Sequence, residues 1–168
     1  KKLPNFLPRA TSADFRSGGG LCGRGGYRDS VAQRRAPGSD PLATYKAKRD
    51  FASTPEPAGL IPTADPDSER RFVVQEHRAR ALHWDLRLER DGVLASWAVP
   101  RGIPHSTKRN NLAIQTEDHP MEYSTFEGTI PRGEYGAGTM TIWDDGRFEL
   151  EKWRDDEVIF TAEGRPGG

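Results

Sequence analysis

The chain has 168 residues, of which 34% are hydrophobic and 30% charged, and its 25 Lys and Arg balance its 25 Asp and Glu. This length suits one domain with a core plus tails, and no apolar run reaches the length of a membrane span, so we expect neither a membrane protein nor a secretory signal. The single Cys22 excludes a disulfide framework and a thiolate metal cluster, and it fits a reducing, cytoplasmic setting.

Residues 1–40 form a first segment that is rich in Gly, Ser, Arg and Pro and shows neither a helical nor a strand period. They carry eight Lys or Arg and three Asp, a net charge of +5, so the remaining residues sum to −5. This composition is typical of a disordered basic tail or linker. Such a tail either binds phosphate backbones or acts as a solvated tether, and the sequence leaves both interpretations open.

Residues 41–168 are predicted to form one folded domain. Several prolines before Arg71 exclude long regular structure there, and this stretch is expected to lie across the domain surface. From Arg71 onward the pattern changes to short segments separated by turns. The predicted strands are RFVVQEH (71–77), ALHWDLRLE (81–89), VLASWAV (93–99), NLAIQTE (111–117), TMTIWDD (139–145), FELEKW (148–153) and EVIFTAE (157–163).

Two Asp-Gly turns organise these strands. Asp91-Gly92 is predicted to join the second and third strands as a hairpin, and Asp145-Gly146 to join the fifth and sixth as another. No window of a dozen residues has the period of an amphipathic helix. The pattern therefore predicts a mainly all-β protein, a small antiparallel β-barrel with short helical or irregular segments and a disordered N-terminal tail.

The strand at 81–89 has a polar face. Because side chains alternate along a strand, His83, Asp85 and Arg87 share one side, and one metal ion can bind both His83 and Asp85. His77 can reach the same ion across a small bend. Two imidazoles and a carboxylate suit Mn²⁺, Zn²⁺ or Fe²⁺, and Arg87 is a fork for a bound phosphate or carboxylate. The opposite, core-facing side would carry Leu82, Trp84, Leu86 and Leu88.

Simpler interpretations remain for each polar motif. The polar face of the strand is also typical of a solvated surface with cross-strand ion pairs. EDHPMEY (117–123) places His119 after a strand, where it serves a site or caps loop backbone groups, and His105 is predicted to be an ordinary loop residue. The Gly-rich IPRGEYGAGTM (130–140) lacks the pattern of a phosphate-binding loop, so a plain turn is predicted.

Taken in order, these segments resemble the 3′-phosphoesterase domain of bacterial and archaeal DNA ligase D. The resemblance covers about residues 45–162. It rests on YKAKRDFASTPEP, FVVQEHRARALHWDLRLE, VLASWAVPRGIP, EDHPMEY and FEGTIPRGEYGAGTMTIWDDG. It implies a small β-barrel enzyme that is Mn²⁺-dependent, with Co²⁺ or Zn²⁺ as other candidate ions. The family removes a 3′-terminal ribonucleoside, then the 3′-phosphate, to expose a 3′-hydroxyl for ligation in non-homologous end joining.

The resemblance also implies partners and a location. The substrate would be a DNA primer-template whose 3′ end carries a ribonucleotide or a phosphate. The partners would be the polymerase and ligase domains of DNA ligase D and the Ku end-binding protein. A monomer in the cytoplasm, associated with the nucleoid, is expected.

Matching positions take the family's roles one by one. The metal ligands would be His77, His83 and Asp85. The other matches are the phosphate contacts Arg87 and His119, the active-site Tyr123, the supporting polar Gln75, Ser96 and Glu117, and the residues tied mainly to the ribonucleotide end, Arg49, Asp50 and Glu56.

The sequence departs from the family pattern in three places. Asn111 stands where an arginine usually precedes the LAI strand, and Arg109 is the candidate substitute for that phosphate contact. Arg101 replaces a common lysine and keeps its charge. Strands that close the family's barrel are expected after EVIFTAE, and the sequence reaches Gly168 before them.

Two other functions fit parts of the pattern. His83, Asp85 and His119 spell the HxD…H triad of an Fe(II)/2-oxoglutarate oxygenase, which would leave His77 unused. A non-catalytic module that binds DNA ends would instead draw its affinity from the basic tail and from surface arginines.

Overall fold

A computed structural model of the chain describes residues 40–59, 70–104, 111–154 and 157–164. The predicted basic tail with Cys22, and the loop residues His105 and Arg109, lie outside these ranges. Within them, no helix has the length and apolarity to cross a membrane.

One antiparallel sheet dominates the described residues, as the sequence predicts. Its pairing order is β4-β3-β2-β1-β7-β6, with β5 added to β3 and β8 added to β7, and the pairings among the described residues leave the sheet open. The barrel is therefore a loose one. The helices are short, α1 (Ala43–Ala47) and a 3₁₀ turn (Met121–Thr125). The strands are β1 (Arg71–Arg78), β2 (Leu82–Arg90), β3 (Val93–Val99), β4 (Ile114–Gln115), β5 (His119–Pro120), β6 (Gly128–Ile130), β7 (Gly138–Trp153) and β8 (Val158–Gly164).

The first predicted hairpin is confirmed. Strands β2 and β3 pair from Arg90 opposite Val93, so Asp91 and Gly92 form a two-residue loop. Both loop residues have positive φ, 52° and 79°. This is the backbone that twisted hairpins need, and Asp-Gly adopts it at low cost.

The second predicted hairpin is wrong. Asp145 and Gly146 do not turn the chain but continue β7, which runs unbroken for 16 residues. Gly146 lies opposite Phe72 of β1 and Gly164 of β8, so it is paired on both edges. A Cβ at this position would collide with the carbonyl oxygen of Glu163. The glycine therefore permits close strand approach and not a turn.

Three other expectations need correction. The stretch before Arg71 does not merely lie on the surface, since Leu42 and Tyr45 of its α1 region are fully buried. Leu82 was expected on the core face of β2, yet it is 44% exposed because it stands at the end of the strand. NLAIQTE contributes only the two residues of β4 to the ladder.

Apolar clusters lie on both faces of the central strands. The first packs Phe72, Val74, Leu86 and Leu88 against Trp97 and Phe160. The second contains Leu42, Tyr45, Val93, Leu94, Tyr123, Ile130 and Met140. On the polar face of β2, Asp85 and Arg87 are buried, whereas His83 is partly exposed. The two buried charges are therefore not those of a solvated strand surface.

Candidate metal centre and phosphate site

The pairing of β1 with β2 brings the predicted metal ligands together. His77 lies directly opposite His83, and Asp85 lies opposite Gln75. Side chains that face each other across an antiparallel pair project to the same side. The two imidazole centroids are 4.6 Å apart, and one ligand atom from each of His77, His83 and Asp85 lies within 4.8 Å of the others.

Backbone carbonyls fix the orientation of both imidazoles. Nε2 of His77 lies 2.9 Å from the carbonyl oxygen of Gly136, and Nδ1 of His83 lies 3.0 Å from that of Ala81. A carbonyl only accepts hydrogen bonds, so each of these nitrogens carries the proton. The other nitrogen of each ring then has a free lone pair, and both lone pairs face Asp85, at 3.5 Å from His77 Nδ1 and 3.6 Å from His83 Nε2.

This donor set fits a divalent cation. Metal-binding histidines usually donate their second N–H to a carbonyl or carboxylate, which sets the tautomer, and both histidines here do so. Two imidazoles and one carboxylate leave coordination positions open for a substrate oxygen. The geometry supports a metal-binding group at His77, His83 and Asp85, without specifying the ion.

Asp85 connects this group to Arg87. Its Oδ2 accepts a hydrogen bond of 3.1 Å from Arg87 Nη2, so the carboxylate lies between the guanidinium and the metal position and reduces their repulsion. Burial raises the pKa of Asp85, but the adjacent Arg87 guanidinium opposes it, and this pKa lies below its ordinary value. The carboxylate is therefore ionised and able to bind a cation.

Arg87 is itself held rigidly. Its Nε donates to Gln75 Oε1 at 2.7 Å and its Nη1 to Ser96 Oγ at 2.9 Å, while Gln75 Nε2 donates to the Tyr123 carbonyl at 3.2 Å. The guanidinium lies 4.6 Å from the Tyr123 ring centroid. It has five N–H donors, and the three used here and at Asp85 leave two for an anion.

A second buried network, which we call the Arg49 cluster, adjoins this site and comprises Arg49, Glu56, Glu117, His119 and Tyr123. Arg49 donates to Glu56 Oε1 at 2.7 Å and to Glu117 Oε1 at 3.1 Å. Tyr123 Oη donates to the same oxygen of Glu56 at 2.8 Å. Burial raises the pKa of Tyr123 above its ordinary value, so the phenol stays protonated. One arginine thus pairs with two buried carboxylates.

His119 is a neutral imidazole in this cluster. Its Nδ1 donates to the Glu117 carbonyl at 2.8 Å, and its Nε2 lies 3.3 Å from Arg49 Nη2, which can only donate. Burial lowers the pKa of His119 well below its ordinary value, and the nearby Arg87 and Arg49 lower it further. Nε2 therefore presents a lone pair and not a proton.

The neutral His119 gives a pH dependence of stability. Below the ordinary histidine pKa of 6.5, the unfolded chain binds a proton at this residue and the folded chain does not. Stability is therefore lost as pH falls below about 6.5, by at most about 1.4 kcal/mol per pH unit. In urea unfolding with EDTA, from about pH 7.5 to about pH 5, the parent chain should lose more stability than His119→Asn. A constant difference between the two chains would contradict the assignment.

The remaining predicted positions differ in their surroundings. Asp50 is exposed, and its carboxylate accepts hydrogen bonds from Ala52 N and Ser53 Oγ within its own turn, so the structure does not bring it into the site. Asn111, where the resemblance implies an arginine, donates from Nδ2 to the Gly102 carbonyl at 2.7 Å and thereby fastens the loop after β3.

The site also contains residues that the sequence does not reveal. Lys48 donates to Glu117 at 3.0 Å and to Tyr135 Oη at 3.2 Å. Tyr135 and Gly136 belong to the Gly-rich segment, for which the pattern predicts a plain turn, yet the Gly136 carbonyl orients His77 of the metal-binding group. The only available signals were the basic run KAKR (46–49) and the lone tyrosine of that segment.

Comparison with known proteins identifies a matching family. The model of the family described as DNA Ligase D 3′-phosphoesterase domain matches residues 75–166. The matched residues include the metal-binding group, Arg87, His119 and Tyr123.

Several curated relatives are similar over most of the chain. The multifunctional non-homologous end joining protein LigD of Mycobacterium bovis is 56% identical over 135 residues, which cover 77% of this chain and 17% of that protein. The LigD protein of Mycolicibacterium smegmatis is 56% identical over 126 residues, 74% of this chain and 16% of its own length. That of Pseudomonas aeruginosa is 53% identical over 112 residues, 67% and 13% respectively. The chain thus spans about a sixth or less of these relatives.

Proposed function

This chain belongs to the DNA ligase D 3′-phosphoesterase family, and from that premise we propose that it is a metal-dependent phosphoesterase that heals DNA 3′ ends, with residues 41–168 as the catalytic domain. It would remove a terminal ribonucleoside and then a 3′-phosphate, leaving a 3′-hydroxyl. The observation that carries the proposal is the metal-binding group of His77, His83 and Asp85 with Arg87 hydrogen-bonded to its carboxylate.

The metal would be held by His77 Nδ1, His83 Nε2 and a carboxylate oxygen of Asp85. We propose Mn²⁺, with Co²⁺ or Zn²⁺ as alternatives, because imidazole and carboxylate together suit such borderline ions. When bound, the ion supplies a Lewis acid for a phosphate oxygen.

The protein's own groups would act on the phosphate from two sides. Arg87, with two free N–H donors and no freedom to move, would clamp a second phosphate oxygen and stabilise negative charge as it grows. His119 would contact the same phosphate. Because its Nε2 is unprotonated, it would accept a proton from the attacking water, in exchange for the hydrogen bond from Arg49. Arg49, which donates to that nitrogen, would orient it.

The proposal extends to substrate and partners. The relatives are named for non-homologous end joining, and two of them also for DNA repair. We therefore propose DNA primer-template ends as the substrate, and the polymerase and ligase domains of a longer DNA ligase D, together with Ku, as partners. The domain would act as a monomer in the cytoplasm, at the nucleoid.

Metal removal provides the direct test. A primer-template with a 3′-phosphate should release phosphate in Mn²⁺, and one with a terminal ribonucleotide should be shortened to a 3′-hydroxyl end. EDTA should abolish both reactions because it removes the ion from the three ligands, and excess Mn²⁺ should restore them. The same primer ending in a 3′-hydroxyl is the control. Full turnover in EDTA would overturn the proposal.

The same assay separates the two rival functions. An oxygenase would require Fe²⁺, O₂ and 2-oxoglutarate and would release no phosphate in Mn²⁺. The structure groups His77, and not His119, with His83 and Asp85, so the HxD…H combination is not the one that converges. A module that only binds DNA ends would bind the primer without turnover in any metal.

A further inference from the structure

An exposed aromatic ring stands beside the metal-binding group. Tyr135 is 47% exposed, although it directly precedes Gly136, whose carbonyl oxygen holds His77 Nε2 at 2.9 Å. Gly136 has φ +79°, a conformation that favours glycine, so a glycine suits the position that follows the tyrosine. The Tyr135 ring is therefore next in sequence to the residue whose carbonyl contacts His77, one of the proposed metal ligands.

Two cations fix the ring. The Lys48 ammonium lies 4.6 Å from the centroid of the Tyr135 ring and also donates to its hydroxyl at 3.2 Å. The Arg49 guanidinium is 5.3 Å from the same centroid. Lys48 is anchored in turn by Glu117 at 3.0 Å. The Tyr135 ring is therefore held in place near the proposed phosphate site, with about half of its surface exposed to solvent.

We propose that Tyr135 is a stacking platform for the nucleobase of the 3′-terminal nucleotide, and that Lys48 positions it. This inference rests on the proposed function, since it places the scissile phosphate at the metal-binding group and Arg87. The base is joined to that phosphate through one sugar, so it must lie close to the rim of the phosphate site. Bases stack on tyrosine with little regard to sequence, which suits an enzyme that acts on any DNA end.

A purely structural role makes a different prediction. If Tyr135 only covers the ion pairs of Lys48 and Arg49, its loss would weaken the binding of every ligand to the site by the same factor. If Tyr135 stacks on a base, its loss would weaken the binding only of ligands that carry a base. The two roles therefore separate when the terminal base is removed from the ligand.

The test is equilibrium binding of the full chain to labelled primer-templates with a 3′-phosphate, measured in EDTA by fluorescence anisotropy. One primer ends in thymidine and the other in an abasic residue with the same 3′-phosphate. The parent chain is compared with Tyr135→Ala, Tyr135→Phe and Trp143→Ala. Trp143 is a matched control because it is an exposed aromatic residue, 40% exposed, on β7.

The parent chain and Trp143→Ala should bind the base-bearing primer more tightly than the abasic one, by about 5- to 100-fold. Tyr135→Ala should lose this difference while its affinity for the abasic primer stays the same, and Tyr135→Phe should keep most of it. The proposal would be overturned if Tyr135→Ala lowered the affinity for both primers equally, or if the parent chain did not bind the base-bearing primer. Because binding is measured without metal, a failure to turn over in Mn²⁺ would count against the reaction alone.

Discussion

Asp85→Ala is expected to lower phosphate release from a 3′-phosphate primer by at least about 10²- to 10³-fold, a loss of the size seen when one charge-stabilising group is removed from an active site. The Asp85 carboxylate faces the free nitrogens of His77 and His83 and also accepts a hydrogen bond from Arg87. Without it, the cation position loses its only negative ligand. The same change leaves the buried Arg87 guanidinium without its carboxylate, so a loss of about 3–5 kcal/mol in unfolding free energy is expected.

Asp85→Asn separates the two effects. The amide keeps the volume and one oxygen for Arg87, so urea unfolding should show a smaller loss of stability than for Asp85→Ala. It removes the negative charge, so Mn²⁺ affinity and turnover should still fall. Both variants are assayed at saturating Mn²⁺ and at temperatures where circular dichroism shows a folded chain. Near-normal phosphate release by Asp85→Ala would rule out the metal assignment.

Arg49→Ala is expected to destabilise the fold strongly. Arg49 pairs with Glu56 and Glu117, whose side chains are 0% and 3% exposed, and its own side chain is 4% exposed. Removal of the arginine leaves two buried carboxylates without their shared cation, which costs about 3–5 kcal/mol. Turnover should fall as well, because His119 loses the donor that orients it.

Lys48→Ala is the matched control for stability. Lys48 pairs with the same Glu117, but its side chain is 36% exposed, and exposed pairs contribute at most about 1 kcal/mol. Arg49→Lys should recover only part of the stability, since an ammonium cannot contact Glu56, Glu117 and the Tyr45 carbonyl in the same planar arrangement. Equal unfolding free energies for Arg49→Ala and Lys48→Ala in urea would show that burial does not set the strength of these pairs.

The parts of the fold that depend on local sequence could be predicted. The Asp91-Gly92 hairpin follows from a dipeptide that tolerates positive φ, and the alternation in β2 places its polar residues on one face. The identical reasoning fails at Asp145-Gly146, because what decides that position is the backbone of Glu163 from another strand. The local sequence pattern does not predict which distant residue will pack against a glycine.

The candidate site shows the same division. His83 and Asp85 could be grouped from their spacing. His77 was expected to fold back towards them across a small bend, and the pairing of β1 with β2 does place it directly opposite His83. The tautomers could not be predicted, since the carbonyls that set them belong to Ala81 and Gly136 in two separate loops. The Arg49 cluster joins side chains up to 70 residues apart, so only the family resemblance indicated its members.

The placement of β1 bears on how the protein moves. This strand lies between β2 and β7, and its ladder with β7 extends from Arg71 to Arg78, past the first apolar cluster and as far as the histidine ligand. Fraying begins at edges, and β1 has none. The two strands that carry His77, His83 and Asp85 are therefore expected to separate only when the whole sheet unfolds, so that local fluctuations affect the loops around these residues and leave the three side chains in place.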